Sequence, residues 1–85
     1  MNKHILLVMK WLNDKDSVTQ EELEKNSRDA CVAAAHYATC AAAVAAAYAA
    51  YDAVADARAV ATYWVDKYFE LTSEDINEYE KELEK

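Results

Sequence analysis

An all-α fold is what this chain predicts, and three observations predict it. Glycine and proline are both absent from its 85 residues, which removes the residues that ordinarily make tight turns and sharp helix ends. More than half of the residues from Ala30 to Thr62 are alanine, the best helix former. The bulky residues inside that block recur at helical rather than strand spacing. The expected architecture is a short N-terminal helix, one long alanine-rich helix and a short C-terminal helix, in a single domain that assembles as an oligomeric helical bundle. Assembly is expected because a chain this small has a marginal core unless another surface helps to cover it.

The first helix is expected over about residues 2–13. Ile5, Val8, Met9 and Leu12 fall on one face of it; a short strand is the alternative reading of so brief a run. Asn13-Asp14-Lys15-Asp16-Ser17 then reads as a turn, since Asn and Asp side chains bond to nearby backbone and tolerate unusual dihedrals.

Thr19-Gln20-Glu21-Glu22 fits a capping box, in which the Thr19 hydroxyl and the Glu22 carboxylate each satisfy a free backbone amide of the first turn. From there the long helix is expected to run over about 19–71, on the order of 75 Å at the standard rise, with Asn26-Ser27 as the one candidate for a bend. Within it, Tyr37, Cys40, Val44, Tyr48 and Tyr51 are spaced three, four, four and three, and the series continues through Ala55 to Thr62. That eleven-residue rhythm keeps a stripe nearly straight along a helix. The opposite side carries Ala35, Ala42, Ala46, Ala53 and Ala57, so the middle of the helix is small and apolar all round, the pattern of a helix enclosed by others. The stripe of Tyr37, Cys40, Val44, Tyr48, Tyr51, Ala55 and Thr62 is therefore the expected interface of a homo-oligomer, with neighbouring copies as the enclosing helices.

A third face carries Asp52, Asp56, Tyr63, Lys67 and Glu70, with Arg58 near the edge of the tyrosine stripe, where it could pair with a carboxylate of a second chain. Trp64 stands in an aromatic run from Tyr63 to Phe69. The C-terminal helix is expected over about 73–84, opened by Thr72-Ser73-Glu74-Asp75, with Ile76, Tyr79 and Leu83 folding back onto Tyr68, Phe69 and Leu71.

Charge and chemistry narrow the function. A net charge of −7, with the basic residues dispersed, argues against direct binding of a nucleic acid backbone. It favours a basic partner surface instead. A membrane role is disfavoured, because the only long uncharged stretch is the weakly hydrophobic alanine block. Cys31 and Cys40 lie too far apart along one straight helix to bridge, so they are expected as buried thiols, in keeping with a cytoplasmic location. His36 and Cys40 are four apart, a valid spacing for two metal ligands, but zinc needs further ligands that only a symmetric assembly could add. Phosphate-cradling loops require glycine, and there is none. Neither enzymatic activity nor a cofactor is expected. Asp52, Asp56, Arg58, Tyr63, Trp64 and Lys67 are the candidate residues for binding a partner or ligand.

The opening Met-Asn-Lys-His-Ile-Leu-Leu-Val-Met-Lys-Trp-Leu-Asn-Asp resembles small alanine-rich accessory proteins of T4-like tailed phages. So do Ser-Val-Thr-Gln-Glu-Glu-Leu after it, the alanine and tyrosine repeats, and Tyr-Trp-Val-Asp-Lys-Tyr-Phe-Glu-Leu-Thr. The resemblance implies a role in the infected bacterium, through modifying a host process, adjusting lysis or blocking an antiviral defence. It assigns no residue a role. The leading expectation is a non-enzymatic protein that binds and inhibits or redirects a host or defence protein. Two others stand beside it: an oligomeric sponge that sequesters a nucleotide signal, stacking bases on Tyr or Trp and holding phosphate with Arg58 or Lys67, and a structural or lysis-control scaffold.

Overall fold

The computed structural model describes residues 1–33, 36–52 and 55–84, with the side chains of 50–57 outside the description. Among them the secondary structure is helical, with five α-helices rather than three: α1 (Lys3–Asn13), α2 (Gln20–Ala33), α3 (Tyr37–Asp52), α4 (Ala55–Leu71) and α5 (Ile76–Leu83). A short 3-10 turn, Lys15–Ser17, follows α1.

A helix and a short turn stand where the sequence places the first helix and the polar cluster, with Asn13 as the last residue of α1. Asn2 caps α1, its side-chain oxygen accepting from the amides of His4 and Ile5. Ile5 and Val8 are fully buried, and Met9 and Trp11 nearly so. The capping box at the start of α2 is present in both directions: the Glu22 amide donates to Thr19 Oγ1 at 3.1 Å and the Thr19 amide donates to Glu22 Oε1 at 3.1 Å. At the other end of the chain, Asp75 caps α5 by accepting from the Asn77 amide. Tyr79 packs inward against the edge of Phe69, as the sequence predicts, whereas Leu71 is exposed.

The long helix is the main correction. Residues 19–71 form three helices, and the molecule measures 32 × 28 × 21 Å, far shorter than the rod of roughly 75 Å that one straight helix would make. Asn26, the expected bend, lies inside α2 instead, buried, with its amide nitrogen donating to the His4 carbonyl and its oxygen 2.8 Å from His4 Nδ1. α2 ends at Ala33 and α3 begins at Tyr37, while α3 ends at Asp52 and α4 begins at Ala55.

Packing explains why. A lone alanine helix leaves its methyl groups in water, whereas folding it into an array lets those methyls meet. Most helix stability in proteins comes from such tertiary contact. Here α3 is the central helix, packed chiefly on α4 and α2 and then on α1. Ala38, Ala42, Ala43 and Ala46 are completely buried, so the small side of α3 faces inward and its neighbours can approach closely. The enclosing helices that the sequence assigned to other copies come from the same chain. The larger side chains of Ile5, Val8, Leu23 and Tyr79 complete the core.

The second correction concerns the cysteines. Cys31 near the end of α2 and Cys40 in the first turn of α3 form a disulfide, with their Cα atoms 4.5 Å apart. The expectation of two separate thiols rested on a straight helix; a hairpin brings the two positions side by side.

Candidate functional site

The inward turn of the alanines decides what faces out. On α3, Tyr37 and Tyr48 are 61% and 64% exposed, and Val44 between them is half-buried. On α4, Tyr63 is 55% and Val60 46% exposed, with Trp64 half-buried between the two helices. Trp64 organises this surface: Tyr37 meets it edge-on at 5.7 Å between ring centroids, and Tyr63 at 5.2 Å. Such edge-to-face pairs fix ring orientation and add to the gain from burial.

Between α3 and α4 runs a groove of about 430 Å³ lined by Ala41, Val44, Ala45, Tyr48, Val60 and Trp64, none of them charged. A second depression of about 490 Å³ lies on the α2 side of the Val44–Tyr48 ridge, bordered by Glu24 and Arg28. The ridge therefore divides an uncharged groove from one with a carboxylate and a guanidinium at its edge. His36 adjoins the N-terminal end of the ridge, its ring stacked on Tyr37 at 5.2 Å and its Nδ1 accepting from the Ala38 amide.

The predicted interface stripe is thus partly assembled. Tyr37, Val44 and Tyr48 form the outer ridge of α3, and Cys40 lies in the same row, committed to the disulfide. Thr62 does not join them. The helix break places it on α4 beside Leu12 and Val65, and its hydroxyl donates to the Arg58 carbonyl. The side chains of Tyr51 and Ala55 lie outside the described residues, as do those of Asp52 and Asp56 from the predicted charged face.

Arg58, expected to pair with a second chain, is exposed and reaches across to α1 of its own chain. Its Nη2 donates to the Leu12 carbonyl and its guanidinium lies 5.3 Å from the Trp11 ring centre. This cation–π contact ties α4 to α1, and the aromatic partner is Trp11, not Trp64. Lys67 pairs with Glu70 at 3.8 Å, an exposed contact of small energetic weight. With Cys40 in a disulfide, the His36–Cys40 ligand pair does not exist in this form. Among the described residues no group of three or more His, Cys, Asp or Glu is placed to hold a metal ion.

One cluster was only partly legible in the sequence, which places Tyr79 against Tyr68 but does not bring Glu74, Asn2 and Thr39 to them. Tyr68 and Tyr79 both donate to the Glu74 carboxylate, and the Asn2 amide donates to the Tyr79 hydroxyl at 2.7 Å. The Asn2 side chain in turn donates to Thr39 Oγ1 at 3.0 Å, linking α1, α3, α4 and α5. Burial raises the pKa of both phenols, and their bonds to Glu74 raise it further. Burial acts against the Glu74 carboxylate, but the two phenol hydrogen bonds outweigh it and hold its pKa below the usual range. The cluster spans three helices and the start of α1, so no helical spacing rule could have grouped it.

Among the described residues no helix is long and apolar enough to cross a membrane. No protein-family model, curated protein or solved structure matches this chain.

Proposed function

We propose that this chain is a non-enzymatic interaction protein that binds a partner protein through the outer face of α3 and α4. The observation that carries the reading is an uncharged aromatic surface, built on Tyr37, Tyr48, Val60, Tyr63 and Trp64, on a molecule of net charge −7. Interface centres are depleted in charge and enriched in tyrosine and tryptophan, which supply much of the binding energy there. Exposed apolar patches on small soluble domains mark such sites. The acidic remainder then repels acidic competitors and favours a partner with a basic rim. Together with the resemblance to phage accessory proteins, this makes inhibition or redirection of a host or antiviral-defence protein the reading of choice. The homo-oligomer expected from the sequence would use the same face.

The nucleotide-sponge alternative draws less support, because the cations it needs are engaged: Arg58 with Leu12 and Trp11, Lys67 with Glu70. The test is affinity capture of the tagged chain from infected bacteria beside the Tyr48→Ala/Tyr63→Ala variant, with native mass spectrometry of both. A stoichiometric protein partner held by the first and lost from the second is the expected result. Equal capture by both chains would refute the assignment of the face. A discrete oligomer carrying an extra small mass would transfer the function to the sponge.

A further inference from the structure

A separate cleft lies away from the aromatic face, where the end of α1 meets α4 and α5. It has a volume of about 460 Å³. Its floor is apolar, with Met9 and Val65 nearly buried and Leu12 and Leu83 still half-exposed, so the three helices leave apolar surface uncovered there. Its rim is acidic: Asp66 on α4, Glu80 on α5 and Glu84 just after α5 are all exposed, and among the described residues no basic side chain lines the cleft. Arg58, on the same helix as Asp66, is held by the Leu12 carbonyl and the Trp11 ring.

We propose that this cleft is a second docking site, which accepts a basic amphipathic segment of a partner protein by seating one apolar side chain on the Leu12–Leu83 floor while lysine or arginine faces Asp66, Glu80 and Glu84. Charge complementarity selects the occupant. Three exposed carboxylates lining an apolar floor disfavour an acidic or a second identical chain and favour a helix with apolar residues on one side and basic residues on its flanks. The floor offers only Met9, Leu12, Val65 and Leu83 as apolar contacts, so the charged rim supplies specificity and a salt-sensitive association rate. The site is independent of the aromatic face, and either can fail without the other.

Fluorescence anisotropy tests it, using the intact protein and a fluorescein-labelled synthetic helix of about four turns with leucine along one side and lysine along the rest. Saturable binding that weakens with added salt is expected. Asp66→Lys/Glu80→Lys should weaken it at least about tenfold, and Thr62→Phe, which fills the cleft, should do the same with an unchanged far-ultraviolet spectrum. Tyr48→Ala should leave it unchanged. Replacing the peptide leucines by alanine should also cost about tenfold. The proposal is overturned if Glu24→Lys, on α2, weakens binding as much as the Asp66→Lys/Glu80→Lys pair, which would mark diffuse attraction to an acidic protein. Absence of saturable binding at low salt would overturn it as well.

Discussion

Replacing both cysteines by serine, or reducing the disulfide, should lower stability substantially without removing the fold. Cys31 and Cys40 are nine residues apart in sequence and join the end of α2 to the start of α3. Cross-linking a loop of about ten residues lowers the entropy of the unfolded chain by roughly 9 cal/mol/K, or about 2.7 kcal/mol at 25 °C. For a domain of this length each kcal/mol moves the thermal midpoint by about 4–8 °C, so the expected loss is roughly 10–20 °C. The hairpin should survive, because Leu23 and Ala30 of α2 are fully buried in the shared core. Cys31 is exposed, so a dithiol reaches the bond without prior unfolding. The assay is circular-dichroism melting of the oxidised protein, the same protein in dithiothreitol and the Cys31→Ser/Cys40→Ser variant, with free thiols counted in denaturant. Coincident melting of all three would refute the reasoning, as would two free thiols in protein handled without reductant. The result also bears on location. Disulfides persist in oxidising compartments and are kept reduced in most cytoplasms, so the cytoplasmic setting expected from the sequence corresponds to the less stable dithiol form.

Further outcomes follow from the core and from the polar clusters. Ala46→Leu should destabilise by about 1–3 kcal/mol because Ala46 is completely buried on the crowded side of α3, whereas Ala41→Leu on the half-buried outer side should be nearly neutral; urea titration of the two variants compares them directly. Asn26→Ala should cost about 1–3 kcal/mol, since it leaves the His4 ring without this partner in a part-buried setting, and equal denaturation midpoints for variant and parent would disprove this. The Tyr68–Glu74–Tyr79 cluster sets a pH window. Glu74 has a depressed folded pKa, so its contribution is present above the ordinary value of 4.5 and fades as pH falls through the folded value. The two phenols have raised folded pKa values, so theirs is complete below the ordinary 10.0 and fades as pH rises beyond it. Melting temperature against pH should therefore fall on both sides, and Glu74→Gln should flatten the acid side; an unaltered acid limb in that variant would exclude Glu74 as the cause.

Much of this molecule was legible one helix at a time. The absence of glycine and proline, the Thr19–Glu22 capping box and the apolar face of Ile5, Val8 and Met9 specify helices and one of their ends through local hydrogen bonding and side-chain spacing alone. The same spacing separates the alanine side of α3 from the side bearing Tyr37, Val44 and Tyr48, because both lie on one unbroken helix. The breaks after Ala33 and Asp52 were not legible. Alanine favours helix almost equally at every position of the block, so local propensity names no place to stop, and the gain from packing α2 and α4 against α3 makes the choice. Everything that depends on those breaks was decided with them: the Cys31–Cys40 bond, the departure of Thr62 from the tyrosine row and the Arg58 contact with Trp11. Periodicity reports which residues share a face, and it is silent on contacts between faces that only a folded chain brings together.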